Sequence, residues 1–333
     1  MAKNTGSILM FIFRSFKKIR GFALITSLVL ISLLSILTFN FAHKNKLEFR
    51  MSMNRALAKK AEYCAYSGYN LALAVLFKDT NSYDSYSDIW AQQIPAIPID
   101  DGMVSFSIDD EKSKFNINRL TSLYGVEDKR GGAMFRRMLK LLDIDEDITY
   151  AVTDWEDKDS SELPGGAEEG YYMSLQNPYR PFNSPFITTG EILLVKGFER
   201  DYYFLPPNSR ESVSRNNYKA LKNYITVYGD GLININTAPV PVLCSLSMDL
   251  TESVAEDIVN YRKEQPFEKK EDLKKVETIS DLLYDEIDSL ITVKSNIFRI
   301  KVQAYVSDIE QDINAVVMRQ SRGVRVVYFS RSI

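Results

Sequence analysis

The sequence predicts an α+β fold: one long N-terminal helix packed on a small antiparallel sheet, with a large, mostly α-helical inserted domain. Three observations carry this. An uncharged run from Gly21 to His43 passes directly into a pattern of helical spacing. Alternating, strand-like runs stand at 103–108 and, three in a row, at the C-terminus. Between them, residues 116–290 read mainly as helices and loops.

The first element is KKIRGFALITSLVLISLL, residues 17–34. From Gly21 to His43 there is no Asp, Glu, Lys or Arg. About 20 such residues, at about 1.5 Å rise each, span a hydrocarbon core as a helix. Three readings compete. A secretory signal peptide usually has a shorter apolar core and a small-residue cut site, and NFAHKN is a poor one. A plain membrane anchor is the second reading. The third is a prepilin-type leader, 1–21, cut between Gly21 and Phe22, with 22–43 as the transmembrane part of the helix. The Gly–Phe junction behind Lys17, Lys18 and Arg20 separates the third reading from the second. Lys44, Lys46 and Arg50 on the far side leave the positive-inside rule only weakly in favour of a cytoplasmic N-terminus. The apolar SILMFIF at 7–13 is more than a charged leader needs.

Phe49, Met53, Leu57, Ala61, Cys64, Leu71 and Val75 keep one helical face apolar, so the same helix is expected to run from about Phe22 to Phe77. The polar KDTNSYDSYSD, 78–88, ends it. Val104, Phe106 and Ile108 alternate as a strand does. The runs 297–306, 313–319 and 323–330, joined by SDIEQD and QSR, suggest antiparallel hairpins. Residues 44–115 plus 291–333 thus form a helix–sheet body, interrupted by 116–290. In that insertion 129–144 and 251–264 read as helices, the second with a capping box of Ser253 and Glu256. LPPNSRESVSRNN, 205–217, reads as a mobile loop. FNINRL at 115–120 echoes ININTA at 233–238, and Asn118 and Asn236 are expected to satisfy backbone groups at turns or helix starts.

Composition narrows the function. A net charge of −3 gives no strong field toward nucleic acid. The one histidine, His43, sits at the membrane edge, which removes Ser–His triads, Cys–His pairs and His-ligated zinc from the soluble body. A carboxylate-pair hydrolase remains open in principle. Cys64 and Cys244 form no disulfide framework; Cys64 falls in the helix seam, and pairing of the two stays undecided.

The densest motif is DWEDKDSSELPGGAEEGYY, 154–172. Asp154, Asp157, Asp159, Glu162, Glu168 and Glu169, packed closely, would repel one another. A hard cation such as Ca²⁺ offsets this, and Gly165 and Gly166 let the chain curl. The spacing is not that of an EF-hand, and a solvated acidic loop is an equal reading. DIDED, 143–147, reads as acids favouring the next helix start. Residues 233–273 have the order of a helix-hairpin-helix DNA module. Its hairpin SMDLTES lacks Gly and places Asp249 and Glu252 where a phosphate would sit, so DNA binding is disfavoured.

Together, RGFALITSLVLI, KFNINRL, AVTDWEDKD…GGAEEGYY, NPYRPFNSPFITTGEILLVKGF, ININTAPVPVLCSL and FRIKVQAYV resemble, in this order and over nearly the whole chain, the general secretion pathway protein K family. These are the large minor pseudopilins of bacterial type II secretion systems. The resemblance implies a pilin-like body that is not an enzyme, prepilin-type processing after Gly21 with its accompanying methylation, and a single-pass helix in the inner membrane. The soluble body would be periplasmic, at the tip of a pseudopilus that supports export of folded proteins. It implies calcium in the acidic loop, with Asp154, Asp157, Asp159, Glu168 and Glu169 as ligand candidates. Implied partners are the I- and J-type minor pseudopilins, the major pseudopilin and prepilin peptidase, with the secretin channel or secreted cargo as further contacts and no nucleic acid. Thr26 occupies the fifth mature position, where most pilins carry a subunit-pairing Glu; a tip subunit has no neighbour above needing it, and the family typically lacks it. The alternative is a type IV pilus minor pilin or a membrane-anchored DNA-uptake receptor.

Overall fold

The computed structural model describes residues 5–206, 218–321 and 323–332, with side chains from Phe22 onward. Most of the expected mobile loop, 207–217, and the first four residues of the expected leader lie outside the described residues. Two compact units result, Met1–Ala61 and Glu62–Ile333.

The first unit is helix. Helix α1 runs over Thr5–Lys78, so it begins upstream of the expected start at Phe22. It is the one helix among the described residues long and apolar enough to cross a membrane, and its most apolar window is fully exposed. The Ser and Thr hydroxyls in that stretch turn inward to backbone: Thr26 donates to Ala23 O at 3.0 Å and Ser32 to Leu28 O at 2.8 Å. That local bonding lets polar residues sit in an apolar span.

In the second unit the end of α1 lies on a five-stranded antiparallel sheet. Its strands are β1 (Ile97–Ile99), β2 (Gly102–Asp110), β7 (Ile297–Val306), β8 (Ile309–Gln320) and β9 (Gly323–Arg331), in that spatial order. The buried seam of α1 is Ala61, Cys64, Ala65, Gly68, Tyr69, Ala72 and Leu76. Leu71 and Phe49, expected on the packed face, are exposed. The difference has a steric reason: a Cβ on Gly68 would stand 2.4 Å from Val104 and 2.9 Å from Val302, so backbone approach, not bulk, decides the face. Tyr69 and Tyr66 pack on Phe329 of β9, and Glu62 pairs with Arg331. Both cysteines are free and buried.

The expected strand at 103–108 falls within β2, while β1, too short to show alternation, was not foreseen. The link expected over SDIEQD shrinks to two residues, because Ser307 takes φ 52° and Val306 pairs directly with Ile309. Such a two-residue turn needs a positive φ, a conformation Gly, Asn or Asp take more readily than Ser, so here the strand pairing on both sides imposes it.

Between β2 and β7 the chain builds one unit twice. In the first copy β3 (Phe115–Asn116) pairs in parallel with β4 (Ile225–Thr226); in the second β5 (Ile233–Asn234) pairs in parallel with β6 (Ile291–Thr292). Each encloses a helical hairpin: α2 (Lys129–Leu141) with α3 (Ile148–Glu156), and α6 (Val240–Ser245) with α7 (Glu252–Glu264). Each is closed by an asparagine clamp. Asn118 Nδ2 donates to Phe186 O at 3.0 Å while Phe186 N donates back at 2.8 Å. Asn236 does the same to Phe267, at 2.9 Å both ways. Each clamped phenylalanine leads into a 3-10 turn, Thr189–Leu194 or Lys270–Lys275. The two expected asparagine roles thus prove to be one motif. The clamp spans 68 residues in the first copy and 31 in the second, and the acidic loop accounts for much of the excess. The cap of α7 is Thr251, accepting from Val254 N, rather than Ser253, because the helix starts at Glu252.

Polar groups lock the copies to the sheet. Buried Asp110, at the end of β2, accepts from Ser295 and Thr237 hydroxyls at 2.6 Å each and from Asn234 at 3.0 Å. Next to it, fully buried Glu111 accepts from Lys114 and Arg299 at 2.7 Å and from the Thr226 hydroxyl.

Candidate functional site: an acidic loop in the first copy

The last turn of α3 carries Asp154 and Glu156, and Asp157 ends the helix in extended conformation. The chain then loops out and returns at Glu168, which caps the short helix α4 (Glu169–Met173). Gly165 and Gly166 make the return. Gly165 has φ 84°, and a Cβ on Gly166 would lie 1.9 Å from Asp154 Oδ2, so only glycine lets the strap lie on that carboxylate. Asp154 in turn accepts from Leu163 N at 3.2 Å.

This fold-back brings one carboxylate oxygen each of Asp157, Asp159 and Glu168 within 4.8 Å of one another. Among the described residues no Lys or Arg pairs with any of the three. Lys196 serves Gly166 O at 2.7 Å and Glu162 at 3.8 Å, and Arg180 serves Glu169 at 3.1 Å. Glu169 therefore stands apart from the trio, and Asp154 acts as the inner post that holds the strap. Asp157 Oδ1 and both Glu168 oxygens are buried without a well-formed hydrogen bond. Burial, then the neighbouring Asp159, pushes Asp157 up to about 7 and raises Glu168 as well. Burial likewise takes Asp154 up to about 7.

Sequence reading missed Glu156. It is 1% exposed, neither oxygen has a well-formed partner, and burial pushes it up to about 7. Its place on a helix hid it, although its position between Asp154 and Asp157 was a usable signal.

Orphaned, clustered carboxylates with no thiol or imidazole suit a hard cation. Oxygens sharing one Ca²⁺ at about 2.3–2.6 Å can stand no more than about 5 Å apart, and the trio meets this. A second acid group, Asp79, Asp84 and Asp88, does not need an ion. Arg319 lies across it, 2.7 Å from Asp79 and 2.5 Å from Asp84, and the Ser295 amide donates to Asp84 at 2.7 Å. The DIDED segment forms the turn into α3, with Asp143 at φ 54° and Asp145 accepting from Asp147 N at 3.0 Å.

The helix–sheet body with its long N-terminal helix is the architecture of a pilin-like subunit, and the apolar part of that helix is consistent with a single-pass membrane anchor. Comparison with known proteins narrows this. A profile for type II secretion system protein K matches residues 113–204, and one for a helix-hairpin-helix motif matches 230–292, the second copy. Type II secretion system protein K of Pseudomonas aeruginosa is 30% identical over 269 residues, covering 77% of this chain and 76% of the relative. The protein of the same description from Aeromonas hydrophila is 27% identical over 323 residues, covering 90% and 92%. The chain belongs to the type II secretion system protein K family. Its fold matches a chain of the solved GspK–GspI–GspJ complex of enterotoxigenic Escherichia coli with a TM-score of 0.68 at 18% identity, covering 85% of this chain and 99% of that one.

Proposed function

We propose that this chain caps the pseudopilus of a type II secretion system as a minor pseudopilin. Prepilin peptidase cuts between Gly21 and Phe22, the exposed apolar half of α1 sits in the inner membrane, and the body stands in the periplasm. There it joins I- and J-type minor pseudopilins above the major pseudopilin and supports export of folded proteins. Its part is assembly rather than catalysis. The observation that carries this is α1 itself. It presents an unpacked apolar half with Thr26 in place of an acid, then a seam of small residues seated on a sheet. Apolar helix faces of this kind supply most of the energy when subunits bundle.

The acidic loop completes the proposal. Asp157, Asp159 and Glu168 would hold a calcium ion, with Asp154 fixing the strap beneath it. The ion would replace carboxylate repulsion by coordination and order the loop.

Intact mass of the membrane-extracted chain, with and without prepilin peptidase, tests the fibre role. Peptidase-dependent loss of residues 1–21 is expected; an uncut chain refutes it. The helix-hairpin-helix match carries the rival reading of a DNA-uptake receptor. The hairpin before α7 exposes Met248 and Asp249 and contains no glycine, which opposes phosphate binding. A steeply salt-dependent mobility shift would favour the rival.

A further inference from the structure

The five-stranded sheet has a second face. Helix α1 covers one side, at Val104 and Val302. On the other, Ser105, Ser107, Lys301, Gln303, Asp312 and Asn314 line a polar trough. It has two basins. One, of about 860 Å³, lies between that face and the segment 91–95. The other, of about 470 Å³, lies where the face meets the first copy, at Lys114, Tyr203, Lys219 and Lys222. Both are lined by Tyr86, Asp109, Lys301 and Asn314, so they are continuous. Each falls within the roughly 300–1,000 Å³ of ligand sites.

The floor offers side chains rather than backbone. β7 and β8 are each paired on both sides, so their backbone groups are taken. The register sets Ser107, Lys301 and Asn314 in one cross-strand row and Ser105, Gln303 and Asp312 in the next. Among the described residues the side chains of Ser105, Ser107 and Gln303 make no hydrogen bond to the fold, and Asp312 Oδ1 is buried without a well-formed partner. Hydroxyl, amide, ammonium and carboxylate together donate and accept. Tyr86 stands between the basins. Its hydroxyl donates to Thr237 O at 2.9 Å and Arg262 backs the ring at 6.0 Å, so a ring that is 55% exposed is held in place.

Charge is graded along the trough. At the insertion end Lys114, Lys219, Lys222, Arg299 and Lys301 face two lining acids, Asp109 and Asp110. Lys301 pairs with Asp109 at 2.8 Å. Lys114 and Arg299 share one oxygen of Glu111 beneath, at 2.7 Å each, so one carboxylate serves two cations. Asp110 is taken up by Ser295, Thr237 and Asn234. Lys219 and Lys222 reach no carboxylate among the described residues. Even with Glu111 counted, cations are in excess. The far basin holds Asp109, Asp312 and Lys301 and has no such surplus.

We propose that this trough binds an anionic glycan, a chain of sugar rings that places a carboxylate at the insertion end. Sugar hydroxyls donate and accept, as the floor does, and the C–H face of a sugar ring seats on a fixed aromatic ring. Lys219, Lys222 and the Lys114–Arg299 pair bind the carboxylate through charge-assisted hydrogen bonds. An extended acidic peptide would also answer the charge, yet such peptides draw their affinity from backbone bonds at a free sheet edge, which the middle of a sheet does not offer.

The inference rests on the secretion reading only for its place, outside the inner membrane, and the test is independent of that reading. The full-length chain in detergent is titrated by calorimetry with a tetrasaccharide of alternating N-acetylglucosamine and N-acetylmuramic acid. Neutral chitotetraose, a glutamate tetrapeptide and inorganic phosphate are titrated beside it. The acidic tetrasaccharide is expected to bind about tenfold or more tightly than chitotetraose, the worth of one charge-assisted contact. Lys219→Glu with Lys222→Glu should abolish that preference and melt as wild type, since both side chains are exposed. Gln303→Ala should weaken both sugars alike, by about three- to tenfold. If the double variant melts lower, Lys219→Ala alone is read in its place. No binding of the acidic tetrasaccharide overturns the proposal, as does an unchanged preference in the variant that melts normally. Equal or tighter binding of the glutamate tetrapeptide also overturns it and assigns the trough to acidic peptide. Displacement of the sugar by an equal concentration of phosphate overturns it too, leaving an adventitious ion only. An uncut chain would overturn the secretion reading and leave the titrations as they are.

Discussion

Replacing Asp157 by Asn separates an ion site from a merely solvated loop, because the two states of the loop should respond in opposite directions. In chelator the wild-type chain keeps Asp157, Asp159 and Glu168 within 4.8 Å of one another with no cation paired to them. Removing one charge relieves repulsion, so the variant should melt at or slightly above wild type. With calcium at about 100 times its dissociation constant, mass action stabilises the native state by about 2.7 kcal/mol. At about 2.1 cal/mol/K of unfolding entropy per residue, about 1 kcal/mol moves the midpoint of a chain this long by roughly 1.5 °C, so wild type should gain about 4 °C. Asp157→Asn loses one of three clustered carboxylates and should gain little. The melting order of the two proteins therefore reverses between chelator and calcium. Scanning calorimetry of the full-length chain in detergent reads this directly, with magnesium as the control, since the smaller ion demands stricter geometry. Identical wild-type melting in calcium and chelator would refute the ion site. A calcium gain in Asp157→Asn equal to that of wild type would refute the assignment of Asp157.

Two further outcomes test the frame around the site. Burial alone would raise Glu111, yet Lys114 and Arg299 hold it down at about 2, below its ordinary 4.5. Its contribution is present above about pH 4.5 and lost as pH falls through about 2; Glu111→Gln should cost about 3 kcal/mol near neutral pH and flatten that acid limb in denaturant titrations. Asn236→Ala should cost about 2–4 kcal/mol by urea midpoint, because it leaves the Phe267 amide and carbonyl buried without partners. The same change at half-buried Asn118 should cost less.

Much of this was legible in the sequence, for reasons visible in single residues. Alternation at Val104, Phe106 and Ile108 announced a strand because one sheet face is buried under α1. The apolar run before His43 announced a long, exposed apolar helix by length and composition alone. Other features leave little trace. Two-residue strands such as β3 and β5 have no periodicity to detect, so the insertion read as mostly helical, without strands. The α1 seam was read rightly at Ala61 and Cys64 but wrongly at Leu71 and Phe49, because hydrophobic spacing favours bulk, whereas the contact is set by Gly68 and alanines that let backbones approach. In the acidic loop, sequence supplied the acids but not their directions. Only the fold shows that Glu169 turns to Arg180 and that Glu156 is sealed in.

The doubled unit has a consequence of its own. In the second copy α7 hands the chain to clamped Phe267 across a short link, Gln265–Pro266. In the first, the same handover from α3 to Phe186 detours through the whole acidic loop. The molecule thus carries its own demonstration that the unit closes without the detour. Topologically the acidic loop is an appendix: the clamp sets where Phe186 goes. Such an arrangement leaves the loop open to change in length and sequence while the scaffold stays still, as a tool can be exchanged on a fixed handle.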